Sequence, residues 1–194
     1  MKLKGLTCAV MALAILLALA SSASATTLEV KGLKQTGAVT LKASLKAGTS
    51  MRLADTSGEF TINTCTVSTI EGASTIFTGT TVTIPVNALT FQTCTEEPIT
   101  IDTRGSLTIE NIAGTTKGTV RWTGLKWTWP SNFGVVSCTT AASPGTDIGT
   151  LTGVAAGQAT LEINTVINCT GMFTSMKWTA TYTVTTPEGL GVTA

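Results

Sequence analysis

Apolar and polar residues alternate along much of the chain that follows residue 26. In one such run Val39, Leu41, Ala43 and Leu45 share a face. Because successive side chains of a strand point to opposite faces, this alternation is typical of antiparallel sheet with one buried and one solvated face. The same alternation recurs in residues 81–84, 99–102, 107–110, 159–164 and 178–184.

Helix-favouring sequence is scarce in this part of the chain. Thr and Val, which are stiff at χ1, are abundant, and glycines interrupt the sequence at short intervals. We therefore predict an all-β fold of about ten to thirteen short strands, arranged as an antiparallel β-sandwich or a barrel-like fold. Within it, Arg104-Gly105 predicts a hairpin turn, and Pro85 limits the run before it to a sheet edge or a strand end.

Residues 1–25 are typical of a signal peptide. Two lysines precede an apolar run over residues 8–20, and Ala23-Ser24-Ala25 offers a peptidase site. The run is shorter than the roughly 20 residues that cross a bilayer, so a cleaved signal is favoured over an uncleaved membrane anchor. We predict a secreted or extracellular protein, free or associated with the cell surface. Residues 26–194 are predicted to form a single all-β domain without a membrane span.

Removal of the leader leaves four cysteines, Cys65, Cys94, Cys138 and Cys169. An even number of cysteines in an exported protein predicts disulfides, and four cysteines allow three pairings. The first and second cysteines enclose a loop of about 30 residues, and so do the third and fourth. Cross-linking a loop of this length is strongly stabilising. Each of the four is followed by Thr.

These spacings indicate a degenerate internal repeat with a period of about 73 to 75 residues. Its halves are near residues 56–128 and 129–186, and Phe60 and Phe133 precede the first cysteine of each half by the same interval. The repeat predicts the pairs Cys65–Cys94 and Cys138–Cys169. The alternative is coincidence, because Cys-Thr dipeptides are expected in so Thr-rich a sequence.

The chain contains no histidine, which excludes Ser-His-Asp and Cys-His catalytic sites and all histidine-based metal sites. Glu96-Glu97 is the densest acidic pair, but neighbours on a strand point to opposite faces, so we expect a solvated turn there. No Asp-rich loop supplies the oxygens that calcium needs. Charges are nearly balanced, without a basic cluster for nucleic acid. We predict no catalytic residue, no metal and no cofactor.

The candidate ligand-binding residues are the tryptophans, Trp122, Trp127, Trp129 and Trp178. We expect them in the core, because aromatic side chains dominate cores; the alternative is a flat platform that stacks on sugar rings. Trp127 and Trp178 lie in matching Lys-Trp-Thr segments, which predicts equivalent strands of the two halves. Without a bulge at Gly124, Trp122 faces away from Trp127 and is the best candidate for an exposed ring.

The C-terminal stretch of residues 178–190 is similar to the ends of small Thr-rich secreted proteins of unknown function from soil actinobacteria. An Ile-Gly-Thr-Leu-Thr segment at residues 148–152 precedes Cys169, as a related segment precedes a cysteine in that group. The resemblance covers roughly Cys138 to the C-terminus. It implies a bacterial exported protein and carries no known activity or site.

These patterns predict an exported, non-enzymatic structural or interaction module of the bacterial cell surface or medium. Its expected partner is a cell-wall or extracellular glycan or a protein. Two alternatives stay open: a carbohydrate-binding module that uses surface tryptophans, and a carboxylate-dependent hydrolase. Tryptophans exposed on the surface would favour the carbohydrate-binding module, and buried tryptophans would not.

Overall fold

A computed structural model of the protein describes residues 25–75, 79–96, 98–131 and 134–194. The predicted leader falls almost wholly outside these residues, as do Glu97 and Phe133. No helix among the described residues is long and apolar enough to cross a membrane. The described strands are β1 (Thr27–Val30), β2 (Leu33–Lys34), β3 (Thr40–Leu45), β4 (Met51–Ala54), β5 (Thr61–Ala73), β6 (Thr81–Cys94), β7 (Thr100–Thr103), β8 (Ser106–Asn111), β9 (Lys117–Thr123), β10 (Lys126–Ser131), β11 (Gly134–Thr139), β12 (Thr146–Thr152), β13 (Thr160–Thr170), β14 (Ser175–Thr186) and β15 (Leu190–Thr193).

The alternation in the sequence becomes the inner and outer faces of the sheet. In β14, Met176, Trp178, Ala180, Tyr182 and Val184 are buried, while the residues between them are partly exposed. Every strand pairing is antiparallel, as the alternation predicted. The prediction of an antiparallel all-β fold is confirmed.

The main sheet closes into an eight-stranded barrel in which each wall strand pairs with the strand before it and the strand after it. Four wall strands, β5, β6, β13 and β14, are continuous. Each of the others consists of two collinear segments, namely β3 with β4, β7 with β8, β9 with β10 and β11 with β12. Pairing of β14 with β3 and β4 closes the wall. Of the two predicted architectures, the barrel is the one observed.

Arg104-Gly105 does not form the predicted hairpin turn. Thr103 of β7 pairs with Lys126, and Ser106 of β8 pairs with Thr123, so the chain continues through Gly105 in the same direction. Gly105 has a φ of 61°, and a Cβ there would lie 2.0 Å from the carbonyl oxygen of Thr123. The glycine permits a bend against the neighbouring strand rather than a reversal.

Pro85 lies inside β6 rather than at its end. The pairing of β6 with β8 stops at Pro85 and Ser106, whereas pairing with β5 extends to Cys94. Proline has no N–H to donate, and it stands where β6 leaves its partner β8. The strand therefore continues past Pro85, but on this side it becomes an edge.

A second, three-stranded sheet covers one end of the barrel. Its order is β15–β1–β2, so the first and last described strands pair with each other. Leu28, Leu190 and Val192 are fully buried and join the barrel core. The Val192 N–H donates to the carbonyl of Thr116 at 3.3 Å, and the Val154 N–H donates to that of Leu190 at 2.9 Å. We call this the capped end, and the opposite one the open end.

Large side chains fill the middle of the barrel. Trp122, Trp127, Trp178 and Tyr182 are fully buried. The ring centroid of Trp178 lies 5.1 Å from that of Trp127 and 5.9 Å from that of Trp122. The Tyr182 hydroxyl hydrogen-bonds Ser68 at 2.8 Å, and burial raises the pKa of this tyrosine above its ordinary value. The expectation that the tryptophans belong to the core is met by these three rings.

Both predicted disulfides are present. Cys65–Cys94 joins β5 to β6, and Cys138–Cys169 joins β11 to β13. Each bridge lies towards the open end, whereas the turns that connect the same wall strands lie at the capped end. Along the wall the two bridges are four positions apart, on opposite sides of an eight-stranded barrel. The two pairings are the ones that the repeated cysteine spacing predicted.

The two Lys-Trp-Thr segments are not equivalent strands, contrary to the prediction. Trp127 lies on β10 and Trp178 on β14, three wall positions apart and within one set of four consecutive wall strands. Both rings are buried, as expected, but they contact each other instead of filling separate halves.

Candidate functional site

A pocket of about 230 Å³ opens among the loops at the open end of the barrel. Trp129, which is 1% exposed, forms its floor. Its walls come from the start of β5, the connection after β6 and the turn between β13 and β14. We call it the mouth pocket, and the lining side chains that matter below are Phe60, Ile62, Glu96, Trp129, Met172 and Phe173.

Phe60 is held at the rim by a hydrogen-bonded turn. Asp55 Oδ1 accepts the Phe60 N–H at 2.8 Å, and the Asp55 N–H donates to the Phe60 carbonyl at 2.9 Å. The Ser57 hydroxyl also donates to the Asp55 carboxylate. The Ser57 hydroxyl and the Phe60 N–H stabilise the charged carboxylate, and they lower the pKa of Asp55 below its usual 3.8. The turn fixes the backbone of Phe60, while its side chain stays 69% exposed.

Glu96 is positioned from inside the barrel wall. Asn63 is fully buried, and its Oδ1 accepts the Glu96 N–H and the Thr95 hydroxyl, each at 3.3 Å. The Thr95 N–H also donates to the Thr64 carbonyl at 2.8 Å, across from β5. The backbone of Glu96 is thereby anchored, and its carboxylate is exposed at the rim.

Apolar side chains are exposed around this rim. Met172 is 46% exposed and Val135, next to the same turn, is 64% exposed. The turn is closed by the Cys169 N–H, which donates to the Thr174 carbonyl at 2.9 Å. Exposed apolar residues that cluster around a concave pocket are typical of binding sites, whereas single ones are common on any surface.

A second groove lies on the barrel wall and shares a lining residue with the mouth pocket. Beyond Pro85, β6 pairs with β5 alone, and β7 pairs with β10 alone. The described wall is therefore not hydrogen-bonded between residues 86–94 of β6 and β7, and we call this space the seam. A groove of about 270 Å³ lies on the β6 side of the seam, lined by Phe91, Gln92, Thr93, Cys94, Glu96 and Pro98. Glu96 lines both this groove and the mouth pocket.

The candidate tryptophans do not form a surface platform. Trp122, Trp127 and Trp178 are 0% exposed, and Trp129 reaches only the floor of the mouth pocket. Trp122, the best candidate for an exposed ring if Gly124 made no bulge, is buried. Gly124, with a φ of 69°, separates β9 from β10 and shifts the alternation, so Trp122 points inwards as Trp127 does. The indole N–H of Trp122 donates to the Arg104 carbonyl at 2.7 Å.

The charged groups around the site suit binding better than acid–base chemistry. Glu96 is the one carboxylate among the described residues that line the mouth pocket. Within the described ranges, no three His, Cys, Asp or Glu side chains are grouped as metal ligands. Asp102 already faces Lys126, with 3.8 Å between carboxylate and ammonium. The site offers an apolar concavity with one negative charge at its rim.

No protein-family model matches the sequence, and comparisons with curated proteins and with solved structures found no match either. The interpretation of the site therefore depends on its own geometry.

The mouth pocket was not predicted from the sequence. Phe60 was noted only as a landmark of the repeat, and Met172 and Phe173 were not singled out. A signal existed: Phe60 follows Ser57-Gly58-Glu59, and an aromatic residue inside a polar turn has no core to occupy. The pocket itself needs three connections that are distant in sequence, and barrel closure alone brings them together.

Proposed function

We propose that this protein is an exported binding module of the cell surface or medium, which holds an apolar group of its partner in the mouth pocket. The observation that carries the proposal is the exposure of Phe60 and Met172 around a concave floor made by Trp129. Mouths of β-barrels are common ligand sites, and apolar walls with a few polar groups are typical of them.

Export is supported by two independent features of the chain. Disulfides persist in oxidising compartments, and this chain forms Cys65–Cys94 and Cys138–Cys169. Residues 1–25 have the order of charged, apolar and small residues that a signal peptidase recognises.

The two alternatives have less support. A sugar platform would need exposed indole faces, and the three most central tryptophans are 0% exposed. A hydrolase that uses carboxylates would need two of them across a cleft, whereas Glu96 is the single carboxylate among the described residues lining the mouth pocket. An apolar binding pocket requires neither.

The test uses Nile red, a neutral apolar dye, as the probe for the mouth pocket. Binding to the parent protein should shift the dye emission to the blue and saturate. The double variant Phe60→Ser/Met172→Ser should weaken dye binding by about tenfold, because burying one large apolar side chain contributes about 1.5–3 kcal/mol.

The matched control is Leu33→Ser, which removes a 71% exposed apolar residue from β2 at the capped end. This variant should bind the dye as the parent does. If the parent does not bind Nile red, or if both variants lose binding equally, the proposed function is wrong.

A further inference from the structure

We propose that the seam accepts an extended segment of a partner protein, which adds as a strand between β6 and β7 with a basic side chain beside Glu96. The inference rests on the proposed function, because Glu96 lines both the mouth pocket and the groove beside the seam. It names the partner as a peptide strand rather than a small apolar ligand.

The backbone on either side of the seam pairs with a neighbouring strand on one side. A strand presents N–H and C=O groups to both of its sides, and β6 over residues 86–94 uses only the side that faces β5. The exception among the described bonds of residues 86–94 is at the first of them, where the Val86 N–H donates to the Gly105 carbonyl at 3.1 Å. Two edges that face each other offer an incoming strand pairing on both of its sides.

The length of the β7 edge limits the length of the segment that can pair with it. β7 spans Thr100–Thr103, so its edge is about 13 Å long at roughly 3.3 Å per residue. A paired stretch of about four residues fits this length. Its inward side chains would meet Phe91, which is 5% exposed and packs on Trp127 and Trp178. Its outward side chains would face solvent, so an alternating apolar and polar segment suits the seam.

The charged side chains along the seam favour a segment with a basic residue. Glu96 is exposed and lines both the groove beside the seam and the mouth pocket, and no ion pair is formed by it among the described residues. Asp102 on β7 is engaged by Lys126 and by the Thr128 hydroxyl, at 3.4 Å for the latter. Arg104 is exposed at the far end of the seam, beside Gly105. A segment with a basic residue near the mouth therefore complements the seam better than an acidic one.

A second copy of this chain is the less suitable occupant. The terminal sheet ends in β2, an exposed strand that offers only Leu33–Lys34 as a pairing edge. Two residues are too few to fill an edge the length of β7, so the partner we infer is a separate peptide segment.

The experiment measures binding of labelled, end-capped hexapeptides of three kinds by fluorescence anisotropy. The first alternates valine and threonine and carries one terminal lysine; the second has glutamate in place of that lysine. The third is the lysine peptide with N-methyl groups on alternate backbone nitrogens, made as two isomers that block one edge or the other. Hydrogen–deuterium exchange of the whole protein locates the bound peptide, and Nile red reports the mouth pocket on the same samples.

The lysine peptide should bind and slow exchange in residues 86–94 and in β7. Both N-methylated isomers should bind at least about tenfold more weakly, because a strand held on two sides needs both edges. Glu96→Gln should weaken the lysine peptide by about two- to fivefold, as expected for an exposed ion pair, and should not weaken the glutamate peptide. Glu110→Gln, an exposed carboxylate on the capped half of the wall, should change nothing.

Strand addition is overturned if no peptide binds at millimolar concentration, if N-methylation has no effect, or if slowed exchange is confined to the rim of the mouth pocket. Equal binding of the lysine and glutamate peptides overturns the assigned charge. If the dye binds but no peptide does, the proposal of strand addition at the seam is wrong and the proposed function stands. If a peptide protects the seam but the parent protein does not bind the dye, the mouth pocket is not the site of an apolar group, and strand addition stands.

Discussion

The two ends of the barrel are closed in different ways. At the capped end, a three-stranded sheet covers the core with Leu28, Leu190 and Val192, all 0% exposed, and main-chain hydrogen bonds hold it there. At the open end, loops surround a pocket whose rim residue Phe60 is 69% exposed. A filled barrel needs its core covered at both ends, and here only one end is covered by regular structure. The difference is the reason why we place the proposed binding site at the open end.

The largest expected effect concerns the aromatic side chains in the middle of the barrel, between the two ends. Trp178→Ala should destabilise the fold by about 3–5 kcal/mol, because it removes a fully buried ring packed against Trp127 and Trp122. Urea denaturation measures it, with Thr179→Ala, a partly exposed neighbour on the same strand, as control. A Trp178→Ala protein that melts like the parent would contradict the central packing.

The disulfides give the next largest effect, and they belong to the open end. Cys138→Ala/Cys169→Ala should cost about 3–4 kcal/mol by the chain-entropy model, since the bridge closes a loop of 31 residues. Hydrogen exchange should rise near the open end, while β1 and β15 keep their protection. Faster exchange in the terminal sheet instead would show that the two ends are not independent.

A smaller effect is expected at the capped end. Leu28→Ala should cost about 2–3 kcal/mol, near the low end for buried leucine, because a peripheral site relaxes more readily than the barrel centre. Leu33→Ala, at a 71% exposed position of the same sheet, should change stability by less than about 0.5 kcal/mol. Thermal or urea unfolding measures both. Nile red binding should be unchanged in both, and its loss in Leu28→Ala would mean that the ends communicate.

The smallest effect is a pH dependence of the open end. The folded-state pKa of Asp55 is lowered below 3.8, so its support of the Phe60 turn is present above about pH 4 and is lost as pH falls through the lowered value. Dye affinity should weaken over this acidic range in the parent and vary less in Asp55→Asn. Other carboxylates, including Glu96, are common to both proteins. If dye affinity depends on pH in the same way in the parent and in Asp55→Asn, the Asp55 carboxylate does not position Phe60.

Local sequence features were enough to predict the strands and the disulfides. Alternation sets which face of a strand is buried, and the repeated cysteine spacing singled out Cys65–Cys94 and Cys138–Cys169. The choice between sandwich and barrel was not predictable in this way. Both have alternating strands, and they differ in one long-range pairing, that of β14 with β3 and β4.

The errors have a common cause in glycine. Gly105 was interpreted as a chain reversal and is a bend within one wall strand, whereas Gly124 shifts the alternation and turns Trp122 inwards. A glycine at positive φ permits a turn, a bend or a bulge, and only the neighbouring strands decide which. The mouth pocket was missed because Phe60 and Phe173 become neighbours only after the barrel closes.

The pairing of β1 with β15 has a mechanical consequence. Thr27 lies opposite Thr193, so the chain enters and leaves this ladder at the same end. Tension applied between the two termini would load the four residue pairs one after another, as in a zipper, rather than all together in shear. The terminal sheet would peel away at low force and uncover the capped end, while the barrel, whose wall strands are cross-linked by two disulfides, would bear the load only afterwards.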